Sequence, residues 1–154
     1  MSSPRWLCPA EQRAWRAYLE STKVLFDALD RRLQRDADMP HAYYEILVRL
    51  SEAPERSLRM SELADLTLSS RSRLSHAAAR LEEKGWIRRV SCPTDRRGQI
   101  ATLTDAGYAA LAAAAPGHVQ SVRDLMIDQL SGQQLEQLTA IGETIIGRVA
   151  ATEG

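Results

Sequence analysis

The sequence predicts a mainly α fold with a small antiparallel β wing, because helical and strand patterns follow one another along its 154 residues. Apolar side chains recur at helical spacing over long stretches at both ends of the chain. Between them, strand formers at 86–90 and 99–103 enclose a polar loop at 92–98, and 57–59 adds a possible third strand. We therefore expect a winged helix-turn-helix head at 40–103 and dimerisation helices at 10–35 and 105–152.

The second helix of the predicted helix-turn-helix has two chemically different sides. Ser69 or Ser70 suits its N-cap, because a hydroxyl there accepts from the free amides of the first turn, and Gly85 suits its end. The inner side carries Leu74, Ala77, Ala78 and Leu81. The outer side carries Ser72, Arg73, Ser75, His76, Ala79 and Arg80. Short polar and basic groups of this kind fit the major groove of DNA.

Positive charge is concentrated in this helix and the hairpin. Residues 69–97 contain eight cations and three anions, a local net charge of +5, although the whole chain nets zero. The stretch after residue 104 has two arginines and six acids, a net charge of −4. This distribution is typical of a nucleic-acid-binding face on the head, with the C-terminal helices away from DNA.

Three motifs in the head are specific enough to compare with known families. They are Met-Ser-Glu-Leu-Ala at 60–64, Ser-Arg-Leu-Ser-His at 72–76 with Arg-Leu-Glu-Glu-Lys-Gly-Trp at 80–86, and Asp-Arg-Arg at 95–97 leading to Leu-Thr-Asp-Ala-Gly at 103–107. Together they resemble the MarR family of winged helix-turn-helix transcription regulators. The resemblance extends over nearly the whole chain, because family members also have dimer-forming helices before and after the head.

The resemblance implies how the head binds double-stranded DNA. The family's wing has an Asp-x-Arg pair that works as a unit, so Asp95 would orient Arg97 toward the minor groove, where the negative potential is concentrated. We expect groove contacts from Ser72, Arg73, His76 and Arg80, with Ser75 on the same face. We expect phosphate contacts from Ser70, Arg71 and Arg96. The sequence departs from the family pattern at Thr67, often glycine in such turns, and at His76, where many members have arginine.

The terminal helices have apolar stripes that a short chain has too little surface to bury. In the last helix, the broad apolar face consists of Leu135, Leu138, Ile141, Ile145, Ile146 and Val149. Burial against a second copy predicts a two-fold homodimer. Two recognition helices in successive major grooves then predict a palindromic operator with half-sites about 10 base pairs apart. We expect the bound dimer to repress its own or a neighbouring operon.

The signal that controls the regulator has two candidate sites. Relatives often bind small phenolic or aromatic anions, and such an inducer could contact Trp15, Tyr18, His41, Tyr43, Tyr44 and Trp86, with Arg16 or Arg49 meeting a carboxylate. The alternative is a thiol-based oxidant sensor of the same fold, because Cys8 lies where some MarR-like hydroperoxide sensors carry their reactive thiol. Core or surface roles for all of these residues are left open by the sequence.

Other functional classes fit the sequence poorly. His41, His76 and His118 fall on separate predicted helices without a nucleophile or carboxylate at motif spacing, so we expect neither enzymatic activity nor a cofactor. Cys8 and Cys92 are too distant for a metal-ligand cluster. Without a signal peptide core or a long apolar run, we expect a cytoplasmic protein. A winged helix used only for protein contacts is a further alternative, although it would not need the basic face.

Overall fold

The structure is a computed structural model that describes residues 3–153. Its helices are α1 (Pro9–Ala37), α2 (His41–Glu52), α3 (Met60–Leu66), α4 (Arg71–Glu83), α5 (Asp105–Leu125) and α6 (Gly132–Glu153). Its strands are β1 (Ser57–Arg59), β2 (Ile87–Cys92) and β3 (Asp95–Leu103). Short 3-10 turns at Pro54–Arg56 and Ile127–Gln129 precede β1 and α6. The predicted mainly α fold with a small antiparallel sheet is confirmed.

The chain divides into two compact units. The first is Phe26–His118 and contains the sheet together with α2, α3 and α4. It includes the predicted head of 40–103 with residues on either side, and from here on the word head means all of Phe26–His118. The second combines the residues up to Leu25 with those from Val119 onward. None of the described helices has the length and apolar character needed to cross a membrane.

The head is built around one apolar core to which its helices and the strands β2 and β3 contribute. From α4, Leu74, Ala78 and Leu81 are buried, which confirms the predicted inner side of this helix. The other core side chains are Leu33, Met39, Tyr44, Ile46, Leu47, Leu50, Leu63, Ala64, Ile87, Ala101, Leu103, Leu111 and Ala114. A close-packed core of this kind fixes α4 relative to the sheet, so the outer side of α4 has a defined direction.

The three strands form an antiparallel sheet in the order β1-β3-β2. Pairing between β2 and β3 continues to Cys92 opposite Asp95, past a register shift after Ser91, so only Pro93 and Thr94 lie in the turn. The predicted loop at 92–98 was therefore wrong. The loop was inferred from polarity, whereas strand pairing depends on backbone hydrogen bonds, and a bulge lets a longer strand continue against a shorter one.

The first helix begins one residue earlier and ends later than the predicted 10–35. Pro9 is its first residue, a position that proline tolerates because the N–H that proline lacks would have no helical carbonyl to bond there. The Glu11 carboxylate accepts a hydrogen bond from the Cys8 amide at 2.8 Å and so caps the helix. At the other end, Asp38 adopts a positive φ of 48° and stops the helix after Ala37.

The turn between α3 and α4 forms although it has no glycine at position 67. The Thr67 hydroxyl donates to the Leu63 carbonyl at 2.8 Å, and Thr67 itself has an ordinary negative φ. The left-handed residue is Leu68, with φ of 49°, so the conformation that favours glycine falls one position after the site we had considered. Ser70 then caps α4, because its hydroxyl accepts from the Arg73 amide at 3.2 Å.

The start of α5 is anchored to the end of α4 by close backbone packing. The Thr104 hydroxyl donates to the Gly85 carbonyl at 2.6 Å and accepts from the Gly107 amide at 3.0 Å. The Thr104 amide donates to the Trp86 carbonyl at 3.0 Å. A Cβ at Gly107 would lie 2.0 Å from that same carbonyl oxygen, so only glycine permits this approach. The motif at 103–107 thus ties β3 to the segment that follows α4.

In the second unit, the last helix begins within a Ser-x-x-Gln pattern at 131–134. The Ser131 hydroxyl accepts from the Gln134 amide at 3.2 Å, and the Gln134 side chain accepts from the Ser131 amide at 2.9 Å, which completes a capping box. Large apolar side chains along α6 are exposed in the single chain. They include Leu138, Ile141, Ile145, Ile146 and Val149.

Candidate nucleic-acid interface

The outer face of α4 presents a row of exposed polar and basic side chains. The exposed residues are Ser70, Arg71, Ser72, Arg73, Ser75, His76 and Arg80. This is the set that the sequence predicted for DNA contact, with the inner residues of the same helix buried as expected. The amphipathic spacing of α4 therefore displays these side chains together on one surface of the head.

Three of the cations between residues 69 and 97 have acidic partners. Arg80 lies 3.0 Å from Glu83, one turn further along α4, and this hydrogen bond raises the pKa of Arg80. Arg89 forms a partly buried ion pair with Glu82. Lys84 lies 3.7 Å from the Asp38 carboxylate and 4.8 Å from the centre of the Trp86 ring. Arg89 and Lys84 therefore stabilise the head itself, by joining α4 to β2 and to the end of α1.

Five arginines in the same region have no acidic partner within 4.0 Å among the described residues. They are Arg71 and Arg73 on α4, Arg88 on β2, and Arg96 and Arg97 on β3. All five side chains are exposed. Because neighbouring arginines without acidic partners produce a positive potential over the surface they share, the outer face of α4 and the wing can attract a polyanion.

Asp95 holds the backbone of the wing. Its Oδ1 accepts a hydrogen bond from the Arg97 amide at 3.0 Å. A Cβ on Gly98 would lie 3.1 Å from the other carboxylate oxygen, so glycine at this position leaves room for the Asp95 side chain. The link between Asp95 and Arg97 therefore runs through the main chain of Arg97, and it leaves the guanidinium able to contact another molecule.

A cleft of about 350 Å³ lies between the start of α3, the start of α4 and the wing. Its lining includes Arg71, Ser75, Asp95 and Arg97, which the sequence predicted as DNA contacts. It also includes Arg59, the last residue of β1, whose guanidinium donates to the Thr94 hydroxyl at 3.2 Å. Arg59 was not among the DNA contacts predicted from the sequence. The predicted third strand at 57–59 was the available signal, since that strand places Arg59 opposite Ile100 beside the wing.

The residues predicted to meet a small aromatic ligand fall into separate groups. Trp15 and Tyr18 lie on the part of α1 that belongs to the second unit, and both are about half exposed. In the head, His41 and Tyr44 share an aromatic cluster with Phe26 and His118, which the ligand prediction did not include. Ring centres are 4.4 Å apart for Tyr44 and His118, and 5.5 Å for His41 and His118. Of the other predicted ligand residues, Tyr43, Arg49 and Trp86 are partly buried, and Arg16 is exposed on α1.

His118 is the unusual member of this aromatic cluster. Its Nδ1 is buried and has no hydrogen-bond partner among the described residues. Burial, reinforced by the nearby His41, lowers the pKa of His118 below its ordinary value. Burial also raises the pKa of the Tyr44 hydroxyl. The cluster therefore favours uncharged side chains and offers aromatic rings together with one unsatisfied polar atom.

The two cysteines have different surroundings. Cys8 is exposed just before α1, and no described residue forms a hydrogen bond with its sulfur. Cys92 is buried in the wing with its sulfur 3.3 Å from the Thr94 hydroxyl, which lowers the pKa of the Cys92 thiol. Within the described part of the chain, no three potential metal-ligating side chains lie together.

Comparison with known proteins places these features in a family. The family model described as the MarR family matches residues 37–98, which include α2, the helix-turn-helix and most of the wing. Sco3205, a MarR family transcriptional regulator from Streptomyces coelicolor solved in complex with DNA, is 54% identical with a TM-score of 0.88. The alignment covers 93% of this chain and 90% of that chain.

Two further relatives agree with this assignment. AbsC, a MarR family transcriptional regulator from Streptomyces coelicolor, is 40% identical with a TM-score of 0.88, and the alignment covers 96% of this chain and 99% of that one. The transcriptional regulator HosA of Escherichia coli O111:H- is 29% identical over 74% of this chain and 83% of its own length. The chain therefore belongs to the MarR family, and it is a transcriptional regulator rather than an enzyme.

Proposed function

We propose that this MarR family regulator is a repressor that binds a palindromic DNA operator as a homodimer. The observation that carries the proposal is a group of four exposed arginines on α4 and β3, Arg71, Arg73, Arg96 and Arg97, none of which has an acidic partner within 4.0 Å among the described residues. Helix α4 would enter the major groove with Ser72, Arg73, Ser75, His76 and Arg80 toward the bases. Ser70, Arg71 and Arg96 would contact phosphates. Arg97 would enter the minor groove, where narrow geometry concentrates negative potential.

The comparison with Sco3205 supports the DNA-binding part of the proposal. That protein was solved in complex with DNA and is 54% identical to this chain over almost its whole length. The fold also supports the proposed contacts, because the core orients the exposed side of α4 and the Asp95 hydrogen bond orients the backbone at Arg97. Contacts from the helix give base recognition, and contacts from the wing give additional affinity.

The apolar face of α6 supports the homodimer. Leu138, Ile141, Ile145 and Val149 fall within about 80° of one another around the helix, and each is at least 37% exposed. Burial of such apolar surface away from water stabilises an assembly by about 25 cal/mol for each Å² buried. A second copy would supply the matching apolar surface, as closed two-fold assemblies usually do. Its two α4 helices would then meet half-sites about 10 base pairs apart.

The aromatic cluster in the head supports release by a small aromatic ligand. His41 and Tyr44 can stack on a ring, and the unsatisfied Nδ1 of His118 can exchange a hydrogen bond with a phenol or a carboxylic acid. Such a ligand would release the repressor by preferring a dimer whose heads are spaced differently from the operator half-sites. Substituted phenols and benzoates that lower the operator affinity would identify it, and His118→Phe should weaken their effect.

Selection of bound sequences from random double-stranded DNA tests the proposed operator. The expected product is an inverted repeat whose half-site centres are about 10 base pairs apart. Enrichment of a single unrepeated site would contradict the dimeric arrangement. Arg97→Ala should then weaken binding to the selected site by roughly 1 to 3 kcal/mol, whereas the matched change Arg88→Ala, on the exposed side of β2, should have a much smaller effect.

A further inference from the structure

The cleft between α3, α4 and the wing contains more positive charge than the structure of the head requires. Three arginines line it, Arg59, Arg71 and Arg97, together with one carboxylate, Asp95. The Asp95 Oδ1 already accepts from the Arg97 amide, and Arg59 donates to the uncharged Thr94 hydroxyl. The cleft therefore has a net charge of +2, and no described carboxylate lies within 4.0 Å of any of its three guanidinium groups.

We propose that this cleft binds one backbone phosphate of DNA and that Arg59 is a direct phosphate contact. The inference rests on the proposed function, and it adds a residue that the sequence motifs do not contain. Arginine suits this role because its planar fork of N–H donors matches two phosphate oxygens at once. The Arg59 side chain is exposed and keeps donors available beyond the one that it directs to Thr94.

The position of Arg59 in the fold connects the two DNA-binding elements. Its backbone amide donates to the Glu62 carboxylate at 3.0 Å, which fixes Arg59 where α3 begins. Its guanidinium reaches the turn of the wing at Thr94. Since Arg71 and Ser75 of α4 and Arg97 of the wing line the same cleft, a phosphate there would touch the helix-turn-helix and the wing together. The bound phosphate would set the register of both elements on the duplex.

The salt dependence of operator binding tests the proposal with Arg59→Gln. Each phosphate contact releases condensed counterions, so loss of one contact should reduce the magnitude of the negative slope of log K against log salt by about 0.9. By the same relation, affinity should fall about eightfold at 0.1 M salt and approach the wild-type value near 1 M. Arg59→Lys keeps the charge and should keep the slope. Arg88→Gln removes an equal charge outside the cleft and should change the slope far less.

Thr94→Val separates a phosphate contact from a purely structural tether. This change removes the hydroxyl that Arg59 contacts but leaves every charge in place. A phosphate contact predicts an unchanged salt slope for Thr94→Val. Equal losses of affinity for Thr94→Val and Arg59→Gln, both with the wild-type slope, would overturn the proposal in favour of a tether.

The remaining outcomes distinguish this inference from the proposed function. A wild-type slope for Arg59→Gln, measured on an operator that wild-type protein binds specifically, would overturn the phosphate site and leave the repressor function standing. Absence of specific binding by the wild-type protein to any selected DNA would overturn the proposed function and the phosphate site with it. Thermal unfolding of each variant at the wild-type temperature establishes that the head is intact in these comparisons.

Discussion

Replacement of Gly107 by alanine should destabilise the head, because the start of α5 packs directly on the Trp86 backbone. The new Cβ would lie 2.0 Å from the Trp86 carbonyl oxygen and 2.7 Å from a methyl carbon of Leu103. Ordinary contact begins at 3.4 Å, so the methyl group falls 1.4 Å short of it at a backbone atom with little freedom to move. Displacement of α5 would also strain the hydrogen bonds of Thr104 to Gly85 and Gly107.

The size of the effect follows from these distances. Overpacking a well-packed site costs about 1 to 3 kcal/mol, and a weakened hydrogen bond adds about 1 kcal/mol. The better helix propensity of alanine offsets about 1 kcal/mol. We therefore expect a net loss of about 1 to 3 kcal/mol for Gly107→Ala, which corresponds to a fall in Tm of about 2 to 12 °C for a chain of this length.

Thermal and urea unfolding of Gly107→Ala would measure this loss. The matched control is Gly147→Ala on α6, where the added Cβ would meet no described atom within 4 Å beyond the helix's own adjacent backbone and where the position is opposite the apolar face of that helix. The control should be neutral or up to about 1 kcal/mol more stable. Unfolding of Gly107→Ala at the wild-type temperature and urea midpoint would refute the close packing of α5 on Trp86.

Three further predictions concern a titrating group, a cap and a thiol. The pKa of His118 is lower in the folded head than its unfolded value near 6.5, so the stability that this group contributes is fully present above about pH 6.5 and is lost on acidification. The free energy of unfolding should fall by at most about 1.4 kcal/mol per pH unit from this cause. His118→Phe should flatten this loss in urea unfolding measured between about pH 7.5 and pH 5. Ser70→Ala should cost about 1 kcal/mol by removing the cap of α4, and Ser70→Gly should cost less. After treatment with micromolar peroxide, the Cys8 thiol should still react fully with an alkylating reagent, because no described residue forms a hydrogen bond with its sulfur. Loss of labelling at Cys8 would favour oxidant sensing.

Local patterns in the sequence were sufficient for α4 and its flanking signals. The spacing of Leu74, Ala78 and Leu81 predicted the buried side, and the exposure of the opposite side followed from helical geometry alone. The sequence also narrowed the cap of α4 to Ser69 or Ser70, and Ser70 is the cap, because a cap depends on contacts within a few residues. Features that depend on neighbours in sequence were therefore predictable.

Features that depend on distant segments were not. The extended strands reached Cys92 and Asp95 because backbone pairing with a partner strand outweighed the polarity that suggested a loop. Arg59 meets Thr94 across 35 residues of sequence, and His41 meets His118 across a longer interval. No periodicity reports such contacts. The Asp95 side chain likewise acts on the amide of Arg97, a detail of the wing backbone that the motif alone left open.

Binding to the DNA upstream of the protein's own gene, compared with binding to an unrelated duplex, decides whether this regulator recognises a specific DNA sequence. Fluorescence anisotropy across a salt series would give both affinities and both salt slopes. We expect saturable binding to the upstream DNA that is tighter by about 10³-fold or more, with a steep salt dependence. Equal affinity for both duplexes at every salt concentration, repeated with sites selected from random DNA, would contradict a sequence-specific repressor.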